Sequence, residues 1–123
     1  RNFAGTPMPN HLGIRMLACE PGRSRMAVTV VESHLNLHGN CHGGLLFSLA
    51  DTAFGMAANA GDEKAVTQEA QIHYVAAAAL GEELTATAET VSRAGRTAIL
   101  DVTITGTENR VIAVFRGQAR FVG

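Results

Sequence analysis

The stretch GGLLFSLADTAFGMAANA, residues 43–60, is the longest apolar run in the chain and decides the fold. It predicts one helix that ends at Gly61-Asp62, and because it is apolar almost all round we expect a buried helix, not an amphipathic surface helix. Asp51 is its only charged residue. Four polar residues interrupt the run, so we do not expect it to span a membrane.

The residues on both sides of this helix predict strands. Before it, two strands are separated by a turn at Pro21-Gly22, and after it alternating apolar residues predict four more. The predicted strands cover residues 14–20, 24–31, 66–75, 84–92, 97–105 and 111–122. A single long helix followed by an antiparallel meander predicts an α+β domain with the helix laid on the sheet.

The composition is that of a compact chain without the features of a nucleic-acid binder. The 123 residues are 46% hydrophobic and 17% charged, which suits one domain over residues 1–123 and excludes a disordered chain. The chain has no Trp, one Tyr and a formal charge of −1. We therefore expect neither stacking platforms nor a cationic surface for nucleic acid.

Charge is unevenly distributed along the chain. Residues 1–31 carry four Arg and one Glu, residues 32–92 carry one Lys and eight acidic residues, and residues 93–123 carry five Arg and two acidic residues. The three segments therefore have formal charges of +3, −7 and +3. Arginines near both ends of the sequence would suit a small phosphorylated ligand.

The cysteines and histidines favour neither a disulfide nor a metal site. Cys19 and Cys41 match no zinc or redox spacing and indicate a reducing compartment, and the start of the chain has no apolar leader, so we expect a cytoplasmic protein. His34, His38 and His42 recur every fourth residue, which on a helix would align metal ligands. Glycine and asparagine make this stretch a loop, so we expect no metal.

Asp51 and the two glycines at the start of the helix are the candidates for chemistry. A buried acid usually has a partner, so Asp51 is either a satisfied core residue or a carboxylate kept for base or nucleophile chemistry. Gly43 and Gly44 would let a ligand approach the first helix amides, which have no intrahelical acceptor and can polarise a carbonyl. Tight packing is the alternative explanation for these glycines.

The motif formed by these residues resembles that of a known enzyme family. His-Gly-Gly at residues 42–44, followed seven residues later by Asp51 in an apolar helix, is similar to the signature of the hotdog-fold acyl-CoA thioesterases. The resemblance is closest to the phenylacetic acid degradation thioesterases, a branch of the hydroxybenzoyl-CoA thioesterase superfamily. It extends from about residue 12 to residue 122 and includes LTATA at 84–88 and AVFRG at 113–117.

The resemblance implies a fold, an activity and a set of site residues. It implies an antiparallel sheet wrapped around a central helix, and hydrolysis of an acyl-CoA, here of an aromatic phenylacetyl type, without metal or bound cofactor. By the same resemblance, Asp51 is the catalytic carboxylate and the Gly43 amide polarises the thioester carbonyl. Asn36 and His42 correspond to a polar pair that positions water or neighbouring groups.

The spacing of the two principal site residues indicates how many subunits are needed to build one site. Gly43 and Asp51 are eight residues apart, which is about 12 Å along a helix, too far for Asp51 to act on a carbonyl held at its own helix start. If both serve one reaction, Asp51 comes from a second subunit, and a two-fold dimer builds two sites. We therefore expect at least a homodimer, and by the resemblance a homotetramer.

The CoA phosphates need cationic partners. The family usually has a basic residue and a proline after the strand that contains Tyr74, where this chain has Val75 and then four alanines, so that contact is not carried over. Arg93 and Arg96, which flank a predicted turn, are candidates for the phosphates, and Arg116 is a further one. A hotdog dehydratase and a non-catalytic acyl-CoA binder remain alternatives, distinguishable by enoyl-thioester hydration and by the absence of turnover.

Overall fold

A computed structural model describes residues 6–123 of the chain. Its helices and strands are α1 Pro7–Leu12, β1 Arg15–Glu20, β2 Arg23–Thr29, α2 Gly43–Asn59, β3 Ala65–Tyr74, β4 Glu83–Ala94, β5 Thr97–Thr105 and β6 Val111–Phe121. Single 3₁₀ turns lie at Glu32–His34 and Thr107–Asn109. The predicted long helix and the six predicted strands are confirmed, each to within two residues at its ends.

The six strands form one antiparallel sheet in the order β1-β2-β4-β5-β6-β3. The meander prediction holds for β4, β5 and β6, but it was wrong for β3, which pairs with β6 and lies at the sheet edge. The segment after β3 crosses the end of the sheet: the amides of Val75 and Ala76 donate to the carbonyl of Ile112, and further on the Gly81 amide donates to Val30. Alternation along a strand does not specify which strand will be its neighbour.

Helix α2 packs on the concave side of the sheet along one fully buried face. The ring of Phe54 lies directly over Gly117 of β6, where a Cβ would be 2.5 Å from a ring carbon, so only glycine allows this close approach. The Ser24 hydroxyl of β2 donates to the carbonyl of Ala53 at 2.6 Å and ties the helix to the other half of the sheet. Within residues 6–123, no helix is long and apolar enough to cross a membrane.

The opposite face of α2 is only half-buried, so the expectation of a helix buried all round was wrong for a single chain. This open face of α2 consists of Phe47, Ser48, Asp51, Thr52, Gly55 and Met56. The sheet covers one side of the helix, and on the other side, within the described residues 6–123, the short helix α1 packs against it. Helix α1, which we did not predict, begins with Pro7 in its first turn and ends at Gly13 with φ +84°, a common pair of helix signals.

Candidate active site

The N-terminus of α2 presents one free backbone amide. The side chain of His42 is the N-cap, because its Nδ1 accepts a hydrogen bond from the Gly44 amide at 2.8 Å. The His42 carbonyl accepts from the amides of Leu45 and Leu46. The amide of Gly43 has no acceptor among residues 6–123. A single unpaired N–H donor therefore lies at the positive end of the helix dipole, where a carbonyl oxygen or oxyanion would be stabilised.

Side-chain rings lie close against both glycines. A Cβ on Gly43 would lie 3.2–3.3 Å from the ring and hydroxyl of Tyr74, and a Cβ on Gly44 would lie 3.0 Å from Nδ1 of His42. The hydroxyl of Tyr74 also donates to the Gly43 carbonyl at 3.2 Å. These contacts agree with the tight-packing alternative, and the Gly43 amide still has no acceptor among residues 6–123.

Asp51 lies two turns further along, on the open face of α2. It is half-buried, and within residues 6–123 its carboxylate forms no hydrogen bond or ion pair. Burial raises the pKa of this carboxyl group above its usual range. Among residues 6–123, no backbone group or arginine satisfies this carboxylate, as the alternative of a satisfied core acid would require. A desolvated, unpaired carboxylate is typical of a functional acid.

A groove runs along the open face of α2 beneath α1. One part of it, a cavity of about 290 Å³, is lined by Met8, Leu12, Phe47 and Asp51 among others. A second part, of about 420 Å³, shares Met8 and Leu12 and reaches His42 and Gly44. The groove therefore connects the helix start to the carboxylate, with apolar side chains on the α1 side.

The loop before α2 is held by its own side chains. The Oδ1 of Asn36 accepts from the amides of His38 and Asn40 at 2.9 and 3.1 Å. Within residues 6–123, the Asn36 side chain forms no hydrogen bond with His42, Gly43 or Asp51, so the predicted polar pair is not joined directly. Asn36 instead fixes the shape of the loop that leads to His42.

The histidines and Cys41 of this loop do not converge on one point. The buried ring of His34 is used at both nitrogens: Nδ1 accepts from Val31, and Nε2 lies 2.9 Å from the carbonyl of Leu12 at the end of α1. Burial, with the nearby Glu82 carboxylate, raises the pKa of Cys41 to about 11, so its thiol is unreactive. Residues 6–123 contain no group of three or more His, Cys, Asp or Glu side chains that could hold a metal ion.

Comparison with known proteins assigns the family. Residues 38–113, more than half of the chain, match the sequence model of the Thioesterase superfamily. The chain belongs to this superfamily. The acyl-coenzyme A thioesterase PaaI of Escherichia coli is 37% identical to this thioesterase over 112 residues, which cover 91% of this chain and 80% of that protein. The chain is therefore a thioester hydrolase.

Solved structures confirm the predicted hotdog fold of this thioesterase. The E. coli PaaI protein from the phenylacetic acid degradation operon has a TM-score of 0.93 and 34% identity, covering 97% of this chain and 86% of that chain. PaaI from Thermus thermophilus, solved as a mutant, has a TM-score of 0.91 and 33% identity, covering 95% and 100%. A hypothetical thioesterase protein from Streptococcus pneumoniae, solved with coenzyme A, has a TM-score of 0.84 and 31% identity, covering 89% of each.

The segment after β3 holds the loop of the thioesterase motif in place. The carbonyl of Ala78 accepts from the amide of Cys41, one residue before His42. The segment is itself fixed by Glu82, whose side chain is only 6% exposed and accepts from the amides of Ala79 and Thr107. Arg110 pairs with Glu82 and donates to the carbonyl of Ala77. Sequence reasoning missed this network because its members come from two separate loops.

Replacing Glu82 with Gln is expected to lower the free energy of unfolding by about 2 kcal/mol at neutral pH, because the amide loses charge-assisted hydrogen bonds. The amides of Ala79 and Thr107, followed by Arg110, hold the pKa of Glu82 below its usual range. A lowered pKa stabilises the fold above the unfolded-state pKa and loses this effect as the pH falls through the folded-state pKa. Urea unfolding of both proteins at neutral and acidic pH should therefore show a difference that shrinks in acid.

The matched control for this variant is Glu83→Gln, the same change at the next residue. Glu83 pairs with Arg15, but its side chain is 62% exposed, and exposed ion pairs contribute little. We expect a change of less than about 1 kcal/mol. Equal effects of the two substitutions would contradict the anchoring role of Glu82.

The predicted phosphate-binding arginines lie away from the Gly43 end of the thioesterase. Arg93 pairs with Glu63 at 2.8 Å and stacks on the ring of Phe121, and Arg96 donates to the Phe121 carbonyl. Both flank the turn that precedes β5, whereas the far end of β5 pairs with the part of β6 that lies opposite Tyr74 of β3. A strand of this length spans roughly 25 Å, so these arginines and Gly43 are not brought together within one chain.

Arg116 is also paired with an acidic residue away from the groove. It forms two hydrogen bonds with Asp101, at 2.6 and 2.8 Å. Asp101 lies on β5 between the buried residues Leu100 and Val102, so the pair is on the face of the sheet that α2 does not cover. It does not face the groove between α1 and α2.

Proposed function

We propose that this protein hydrolyses acyl-CoA thioesters of a phenylacetyl type to the free acid and CoA. The observation that carries the proposal is a pair of groups on α2 with no partner among residues 6–123: the Gly43 amide at the helix start and the Asp51 carboxylate, which lines the groove beneath α1. These are the two groups that thioester hydrolysis needs: a donor for the carbonyl oxygen and an acid–base or nucleophilic group. The E. coli relative is itself named an acyl-coenzyme A thioesterase.

In the proposed mechanism the Gly43 amide binds the thioester carbonyl oxygen and stabilises the negative charge that develops on it. The helix dipole adds to this effect. Asp51 either removes a proton from a water that attacks the carbonyl, or attacks the carbonyl itself to form a mixed anhydride that a water then hydrolyses to the free acid and the Asp51 carboxylate. In both routes the CoA thiolate leaves. Single-turnover hydrolysis in isotopically labelled water distinguishes the two, since label enters Asp51 only after direct attack. Neither route uses a metal or a bound cofactor.

We propose a homodimer as the smallest active form. The distance between Gly43 and Asp51 along α2 is about 12 Å, so the carboxylate of a second chain is needed at each Gly43. Three surfaces are available for the contact: the open face of α2 and the edge strands β1 and β3, each of which pairs on one side only within residues 6–123. Unpaired strand edges are sites at which sheets join. We further propose that two such dimers form a tetramer, with each chain contributing one thioesterase domain over residues 1–123.

The groove also favours an apolar acyl group. Met8 and Leu12 of α1 face Phe47 of α2 across the cavity next to Asp51, and the Phe47 ring is fixed by an edge-on contact with Phe115 at 5.6 Å between centroids. A volume of about 290 Å³ is at the lower end of the range for small-molecule sites, which suits a single aromatic ring. For the CoA phosphates, Arg93 and Arg96 of a neighbouring chain remain our candidates.

A panel of acyl-CoA thioesters tests the proposed function. We expect the highest kcat/KM for phenylacetyl-CoA and lower values for acetyl-CoA and for long straight-chain thioesters. Release of CoA is measured with a thiol reagent, and hydration of an enoyl-CoA is assayed alongside it. Failure of every thioester to turn over above background would contradict the proposal, as would hydration without hydrolysis.

A further inference from the structure

Tyr74 makes a close contact with the Gly43 peptide that the sequence did not predict. It is the last residue of β3, and its hydroxyl donates to the Gly43 carbonyl at 3.2 Å. Three of its atoms lie 3.2–3.3 Å from the point where a Cβ of Gly43 would be. The ring therefore covers the side of Gly43 on which every other residue type carries its side chain.

The backbone of Tyr74 is well anchored for this contact. Tyr74 lies opposite the fully buried Ala113 of β6. The next two amides, of Val75 and Ala76, both donate to the carbonyl of Ile112. A ring on such an anchored backbone can hold the start of α2, where two successive glycines would otherwise allow a wide range of backbone angles.

The two peptide groups around Gly43 are held at every polar atom except one. The peptide that follows Gly43 is bound at both ends, since Tyr74 donates to its oxygen and His42 Nδ1 accepts from its N–H, which belongs to Gly44. The preceding peptide is bound through its oxygen, the His42 carbonyl, which accepts from Leu45 and Leu46. Because peptide groups are planar, these contacts fix the direction of the one remaining donor, the N–H of Gly43.

We propose that Tyr74 is a positioning residue for thioester hydrolysis, which acts through the peptide between Gly43 and Gly44 to aim the Gly43 amide at the thioester carbonyl. The inference rests on the proposed function of the Gly43 amide and extends it to a residue on a different element. Preorganised donors are effective because they need no reorientation as charge develops. Tyr74 therefore contributes to kcat and little to substrate affinity.

The first test is Tyr74→Phe, which keeps the ring and removes the hydroxyl. We expect kcat for phenylacetyl-CoA to fall roughly three- to tenfold, the effect of losing one hydrogen bond, with KM nearly unchanged. The side chain is 54% exposed, so the melting temperature should stay within about 3 °C of the wild-type value. The matched control is Thr90→Val, which removes another hydroxyl-to-carbonyl bond, to Gly22 at 3.0 Å, far from Gly43, and should leave kcat unchanged.

The second test measures the polarisation of the substrate's thioester carbonyl directly. In an Asp51→Asn background, phenylacetyl-CoA labelled with carbon-13 at the thioester carbonyl is bound and its infrared stretching band is recorded. Polarisation by the Gly43 amide should shift the band to lower frequency than in free substrate, and adding Tyr74→Phe should move it back towards the free value. A merely structural tyrosine would not change this band.

The outcomes separate the two proposals. If the wild-type protein hydrolyses no acyl-CoA, the proposed function fails. If the wild type hydrolyses phenylacetyl-CoA while Tyr74→Phe keeps both its kcat and its carbonyl band, the function stands and the positioning role of Tyr74 is overturned.

Discussion

Replacing Asp51 with Asn is expected to lower kcat for phenylacetyl-CoA by roughly 10²–10⁴-fold, the usual contribution of a positioned acid–base group. Asp51 is the only charged residue of α2, and its carboxylate lines the groove and forms no ion pair among residues 6–123. Asn has nearly the same shape, so KM should change little. Steady-state kinetics measure the effect, with Asp62→Asn, an exposed acid just after α2, as the control that keeps full activity.

The same variant should be more stable than the wild type at neutral pH. Burial raises the pKa of Asp51, so the folded state is penalised when this group is ionised, above its folded-state pKa. The advantage of Asn should shrink as the pH falls through that pKa and the wild-type carboxyl group becomes protonated. Melting curves of both proteins across this range measure it. An inactive variant that is also less stable at neutral pH would indicate a structural role for Asp51.

Replacing Gly43 with Ala is expected to lower kcat by roughly 10²–10³-fold, the usual effect of disturbing one oxyanion donor. The new Cβ would lie 3.2–3.3 Å from Tyr74, so the ring or the first turn of α2 must shift, which disturbs the contact that we propose aims the free amide. Alanine normally favours a helix over glycine by about 1 kcal/mol. Here the contact with Tyr74 should cancel that gain, which urea unfolding measures.

Gly61→Ala is the matched control for this substitution. Its Cβ would make an ordinary 3.8 Å contact with Pro21, beyond the other end of α2. We expect wild-type kcat from this control. A Gly43→Ala protein with wild-type kcat and raised stability would show that neither the close packing nor the amide direction matters for the reaction.

Local sequence patterns were sufficient for the elements and for the carboxylate. The apolar run at residues 43–60 specified α2 because it is long and contains no proline, and alternation such as Leu84, Ala86 and Ala88 specified the strands. Asp51 could be singled out because a lone charge in such a run must be either satisfied or functional. The signals for α1, Pro7 and Gly13, were also present in the sequence, although we did not use them.

Contacts between distant parts of the chain could not be predicted in this way. The position of β3 beside β6 depends on the segment that crosses the sheet end, and the contact of Tyr74 with Gly43 follows from that position. The burial of Glu82 between two loops depends on the same crossing. The hydrophobic periodicity that predicts a helix or a strand does not reveal these contacts, since the residues that meet are tens of positions apart in sequence.

The central claim is that each active site combines the Gly43 amide of one chain with Asp51 of another, and a heterodimer tests it most directly. Chains carrying Asp51→Asn and chains carrying Gly43→Ala are co-expressed with different affinity tags, and the mixed dimers are purified. One of the two sites in such a dimer combines an intact Gly43 with an intact Asp51, while the other carries both substitutions. The account predicts about half of the wild-type activity per dimer. Mixed dimers no more active than either parent variant would contradict it.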